Sequence, residues 1–156
     1  MAKSIRQLIL ENIETTLAGV TVQAGYNTTF KKAQINRSVV NLGRENIWPT
    51  VLVGVSDIPS TVSTSMSGDE VSREMTVDLT LGLGGNVSVM PTQVEEAVAD
   101  IIKVMAVDHT RGGNACDTGE PEIREPNYSQ VIEGHAFVTL SYPISYRHKR
   151  TDATLA

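Results

Sequence analysis

The chain has 156 residues, a formal net charge of −5, 40% hydrophobic residues and only 4% aromatics. That length suits one domain, 1–156, built on an aliphatic core of Val, Ile, Leu and Met. No stretch approaches the roughly 18 apolar residues of a membrane helix, and Cys116, the single cysteine, has no internal disulfide partner, which argues against a membrane protein or a disulfide scaffold.

The opening MAKSIRQLIL has no apolar h-region or small-residue cleavage site, so no secretory signal is expected. It reads instead as a helix. Ser4 and Gln7 form an S-x-x-Q capping box. Ile5, Leu8, Ile9, Ile13 and Leu17 follow at three- and four-residue spacing, and Gly19 is expected as a left-handed C-terminal cap. Val20–Thr29 is polar and irregular, with Tyr26 and Phe30 near its end.

Two strands come next. In KKAQINRSVV the apolar Ala33, Ile35 and Val39 alternate with polar neighbours, and WPTVLVGV, Trp48–Val55, is nearly all apolar. Pro49 lacks a donor and should sit at that strand's start. Ser56–Asp69 is rich in Ser and Thr and reads as a long loop or a hairpin tip. From Val71 to Leu83 every odd position is apolar except Arg73, and every even one is polar or glycine. This is a strand with one face on a core. Gly82, Gly84 and Gly85 read as turn glycines, without the Lys-Ser/Thr or helix of a phosphate cradle.

Pro91 and Thr92 open a second helix, with Thr92 and Glu95 as a T-x-x-E box. Val94, Ala97, Val98, Ile101, Ile102 and Met105 form its apolar stripe; Glu95, Glu96, Asp100 and Lys103 take the rest. Asp108–Tyr128 reads as a loop. The last element is a strand over Val131–Arg147, with Ala136, Val138, Leu140, Tyr142, Ile144 and Tyr146 on one face. Phe137 and Pro143 fall on its polar face, and 148–156 is expected as a flexible tail. The sum is an α+β fold: a mostly antiparallel four-stranded sheet with two helices packed on one face, and long loops or hairpin arms.

Strand length points to assembly. Val71–Leu83 extends about 43 Å and Val131–Arg147 about 56 Å. A globule of this size is about 39 Å across. Strands that protrude expose backbone edges that need a partner, which favours an oligomer.

Catalytic chemistry is sparse. His109, His135 and His148 form no H-x-x-x-H or H-E-x-x-H set, and no G-x-S-x-G elbow exists. Cys116 has no spacing partner, and Glu95 and Glu96 face different directions on their helix. Neither a catalytic site nor a metal or other cofactor is expected. The charge is uneven: residues 1–50 sum to +3, 51–100 to −7 and 101–156 to −1. An acidic chain without a Lys/Arg stripe is a poor candidate for gripping nucleic acid.

The succession IRQLILENIETTLAG, KKAQINRSVV, PTVLVGV, REMTVDLTLGL, VEEAVADIIKVMAVD and a closing strand ending in ISYRHK resembles the tail terminator family of tailed bacteriophages. The likeness spans nearly the whole chain and rests on element order rather than a signature motif. It implies a non-enzymatic virion protein at the neck-proximal end of the tail. Such a protein forms a homohexameric ring on the tail tube, stops tube growth and offers the head-docking surface to a connector. Genomic DNA passes through the ring without specific binding.

A ring needs two different complementary faces per subunit, for which Trp48, Arg73, Tyr142 and Tyr146 are candidate interface residues. Arg73 is expected to pair with an acid at a subunit boundary or strand end. Asp57, Asp69, Glu70, Glu74 and Asp78 are candidate lumen or tube-facing acids, placed to repel phosphate. Two alternatives stand beside this reading. One is another neck or tail joint protein, a connector or tail-completion protein; the other is an unrelated small-ligand-binding α+β domain.

Overall fold

The computed structural model describes residues 2–35, 47–56, 62–64, 68–124 and 134–152. Their order is α1 (Ile5–Ala18), a 3-10 turn (Val22–Ala24), β1 (Lys32–Ile35), β2 (Thr50–Val55), β3 (Val62–Thr64) and β4 (Glu70–Gly84). Then come α2 (Met90–Val107), β5 (Asp117–Thr118), β6 (Glu122–Arg124) and β7 (His135–Lys149).

The fold is α+β, but the expected four-stranded sheet is corrected. Among the described residues the sheet has seven strands in the order β1-β2-β4-β7-β5, with β3 on β4 and β6 on β7. It is also mixed, because β1 runs parallel to β2 with Lys32 opposite Thr50 and Ile35 opposite Val53. The three extra strands are two or three residues long and fall inside the stretches read as loops. Segments that short carry no measurable alternation, and alternation never reports strand direction.

The centre is the antiparallel pair of β4 and β7, in register from Glu70–Lys149 to Gly84–His135. Odd residues of β4 and even residues of β7 share one face, and there Val77, Leu79, Leu81, Val138, Leu140 and Ile144 are almost wholly buried. Ile5, Ile9, Ile13 and Leu17 of α1 and Val94, Ile101 and Met105 of α2 join the same core. Each such side chain contributes about 1.5–3 kcal/mol by leaving water. Both helices therefore cover one face. Ala136–Tyr146 lie where expected, although the strand starts at His135 and runs to Lys149, from which a bridge reaches Asp152.

Local signals hold in part. Ser4 Oγ accepts the Gln7 N–H at 3.2 Å, but the Gln7 side chain turns to Glu11 instead of closing the box. Gly19 is not left-handed: at φ −80° it continues into tight i→i+3 bonds, Gly19 N–H to Thr16 O and Val20 N–H to Leu17 O, which deliver Val20 into the core. Thr92 caps nothing; α2 starts earlier, at Met90, with Pro91 in the first turn, where a missing N–H costs least. Asn86 organises that approach by accepting from the Ser88 N–H and hydroxyl.

Pro143 is accommodated by the outer side of β7. Its carbonyl accepts from Gly119 N–H, so its donorless nitrogen faces the gap between β5, opposite 144–145, and β6, opposite 139–141. No helix among the described residues is long and apolar enough to cross a membrane.

Candidate functional site

The helix-free face of the sheet carries its own small cluster. Trp48 and Leu52 are buried there with Phe137 packed against them. The Trp48 ring lies 4.8 Å from His135 and 5.9 Å, edge-on, from Phe137. Its seat is made by glycine. A Cβ on Gly82 would stand 2.5 Å from Trp48 Cζ3, and one on Gly84 would stand 2.6 Å from Trp48 Cδ1. Gly82 and Gly84 are thus strand residues that admit an indole, not turn residues; Gly85, at φ +144°, is the one that leaves the strand. Phe137 on the polar face has the same explanation.

Three of the four candidate interface residues are buried within the single chain, and Arg73 is half-buried. Trp48 is 9% exposed, Tyr142 3% and Tyr146 7%, the last two inside the main core. Arg73 sits on the helix-side face opposite Tyr146, and its Nε–H donates to His148 Nε2 at 2.9 Å. Its hydrogen-bond partner among the described residues is an imidazole.

Of the candidate acids, Asp57 lies outside the described residues. Glu70, Glu74 and Asp78 share the helix-free face of β4, four residues or about 13 Å apart. Asp69 precedes the strand, and its carbonyl accepts from Arg150 N–H. The row is not purely acidic. Arg147 and Lys149 project from β7 on the same face, opposite Ser72 and Glu70, and Asp78 accepts from Ser141 Oγ at 2.6 Å.

Glu70 and Glu74 belong to the ribbon formed by the far halves of β4 and β7, whereas Asp78 lies opposite Gly54 of β2. From Glu70 to Met75, β4 has β7 on one side and, among the described residues, the three-residue β3 on the other. Fifteen residues of strand span about 50 Å, whereas the 18 residues of α2 span about 27 Å. The opposite sheet edge is partly blunted, since Glu14 of α1 accepts the Ile35 N–H at 3.1 Å. At the β6 edge all three residues are exposed, Ile123 by 41%.

Three polar groups escaped sequence reasoning. Asp100 is 1% exposed, and its carboxylate accepts from Asn27 N–H, the Asn27 side-chain amide and Thr28 N–H at 2.7–3.1 Å. With Lys103 donating to Gly25 O beneath the Tyr26 ring, it pins the 21–30 segment onto α2. Arg111, fully buried at φ +51°, donates Nη2 to Met105 O at the end of α2 and Nε to Thr118 Oγ1. That position suits a cation, because the helix C-terminus is partially negative. Burial lowers the Arg111 pKa, opposed by the nearby charge of Asp108. Its Nη1 and the Tyr142 hydroxyl are buried with no hydrogen-bond partner among the described residues, and burial pushes the Tyr142 pKa up.

Asp108 begins the turn that holds Arg111. Burial works to raise its pKa, but donation from the Thr110 hydroxyl and the Gly112 and Thr110 N–H groups holds it below the ordinary carboxylate range. Beside it a cavity of about 180 Å³ is lined by Ile102, Met105, His109, Thr118, Glu120 and Tyr142 among others. That is smaller than the roughly 300 Å³ at which small-molecule pockets begin. Among the described residues no three His, Cys, Asp or Glu side chains converge as metal ligands, and Cys116 is an exposed free thiol. No known family matches the chain, and no curated protein matches its sequence.

Proposed function

We propose that the protein is a non-enzymatic structural component of a phage virion, a tail terminator that assembles into a homohexameric ring. It caps the tail tube at the neck-proximal end, stops tube polymerisation and presents the docking surface for the head–tail connector. The observation that carries the reading is the β4/β7 ribbon, about 50 Å of paired strand on a body whose longest described helix is about 27 Å. A narrow ribbon with few strand partners gains stability from an adjoining subunit, and the exposed β6 edge supplies a second, different surface. Two unlike surfaces on one chain are what a closed head-to-tail ring requires.

In such a ring the helix-free face of β4, carrying Glu70, Glu74 and Asp78, borders the lumen or the tube-facing surface. Acids there repel phosphate within a Debye length of about 8 Å and let the duplex pass without anchoring it. The same features would serve another neck or tail joint protein, and the bound partner tells the two apart. Light scattering of the purified chain and negative-stain microscopy, with and without isolated tail tubes, test the proposal. The expected result is a six-fold ring, in solution or on the tube end. Monomers at high concentration, together with bare tube ends, would overturn it.

A further inference from the structure

We propose that Arg73 and His148 form a proton-sensitive latch that closes the far end of the β4/β7 ribbon. The two side chains project from neighbouring rungs of the helix-side face, Arg73 opposite Tyr146 and Val71 opposite His148. Their hydrogen bonds assign both imidazole nitrogens. Arg73 Nε–H is a donor, so His148 Nε2, 2.9 Å away, must be the acceptor and carries no hydrogen. Nδ1 lies 2.9 Å from the Lys149 carbonyl, which can only accept, so Nδ1 carries the hydrogen. The bond therefore exists with neutral imidazole alone.

Protonation places a hydrogen on Nε2. The acceptor is lost, and an imidazolium stands against a guanidinium. One of the two side chains must then turn out of a site where His148 is 9% exposed and Val71 8%. The groups facing the imidazole are Arg73 and Val71 from β4 and the Tyr146 ring, 6.3 Å away, from β7; β3 contributes the apolar Val62 opposite Arg73. Glu70 and Lys149, one position further on each strand, alternate to the other face.

Position converts this local change into a conformational one. Beyond Thr76 the ribbon lacks β2, and past Ser145 the described part of β7 has β4 and the Asp152 bridge as neighbours. Segments with few strand partners open at the lowest free energy, so a latch there controls fraying of the ribbon end, where Met75 and Tyr146 form the margin of the main core. This inference stands on the single chain and does not depend on ring assembly.

Hydrogen exchange of the full chain at pH 7.5 and 5.5, corrected for intrinsic rates, tests it. Protection over 71–75 and 145–149 should fall roughly tenfold at the lower pH, while 77–83 and the helices stay protected. His148→Gln keeps an oxygen acceptor for Arg73 and does not titrate, so its ribbon end should respond little to pH. Should that variant loosen the end at both pH values, Arg73→Met decides: with the donor and its charge gone, protonation breaks no bond to position 73 and the pH response should shrink well below that of the wild type. At pH 7.5 the 15N shifts of His148 should show the Nδ1-protonated tautomer. An Nε2-protonated tautomer, an equal pH response in all three proteins, or no response in the wild type would overturn the proposal.

Discussion

Placing one methyl group on Gly82 is the sharpest probe of how the helix-free face is built. In Gly82→Ala the new Cβ would meet Trp48 Cζ3 at 2.5 Å and Phe137 Cε1 at 3.2 Å, so the indole must move. Overpacking of this kind costs about 1–3 kcal/mol. A protein of this length shifts its Tm by about 2–4 °C per kcal/mol, giving a loss of about 2–12 °C. Trp48→Ala alone should cost about 3–5 kcal/mol.

The double variant carries the argument. Once Trp48 is gone the methyl added at position 82 enters vacated space, and alanine's smaller unfolded-state entropy returns about 0.4–1 kcal/mol. Gly82→Ala should therefore turn from costly to neutral or mildly stabilising, a coupling of about 1.4–4 kcal/mol. Gly54, on the same face of β2 with no atom within 4 Å of where a Cβ would stand, serves as the control and should accept alanine freely. Urea unfolding followed by circular dichroism reads all five proteins without relying on the single tryptophan. An equal penalty for Gly82→Ala with and without Trp48 would refute the seat.

Asp100→Ala strips the acceptor from two backbone N–H groups and one amide; at about 1.5–3 kcal/mol per charged hydrogen bond it should destabilise by at least about 2 kcal/mol in urea. A change below about 1 kcal/mol would show that the 21–30 segment is held by packing alone. Asp108 has a depressed pKa, so its contribution is fully present above the ordinary aspartate range near pH 4 and is lost as pH falls through its lower folded value. Asp108→Ala should accordingly flatten the acid limb of a stability profile between about pH 2 and 5, and an unchanged limb would count against the assignment. On the proposed tail-terminator reading, replacing Glu70, Glu74 and Asp78 together by lysine should leave the ring intact and slow DNA ejection; an unchanged rate would mean the charge is incidental to passage.

The strongly periodic elements were legible in the residues, and the reason is physical. In β4 a two-residue alternation over thirteen positions, broken only at Arg73, has no helical counterpart, so strand type and core face followed directly. The same alternation marked Arg73 as the exception in the inward row. Its partner, His148, lies 75 residues on, and alternation within one strand says nothing about who stands across from it. The parallel β1–β2 pair and the two- and three-residue strands stayed hidden for the same cause: pairing is a tertiary event.

Asp100 carried a signal that its charge obscured. It lies three residues after Ala97 and four before Val104, on the apolar stripe of α2 rather than beside it. A carboxylate there must find donors or remain unburied, and the Asn27–Thr28 backbone supplies them from a segment that looked merely polar. Gly82 and Gly84 offered the converse case. Glycine inside an alternating strand marks either its end or a close approach by another group, and an indole 34 residues earlier in the chain decides for the second. The aromatics that the expected ring suggested as anchors between subunits, Trp48, Tyr142 and Tyr146, are buried inside the chain. In the proposed ring a neighbour would meet the thinly partnered ribbon and the exposed β6 edge, where Val62 and Ile123 add apolar surface to backbone and charge. Contacts built on such surfaces follow strand geometry more than side-chain pockets, so a subunit interface here should tolerate substitution of any single exposed side chain and yield to a proline placed in β6.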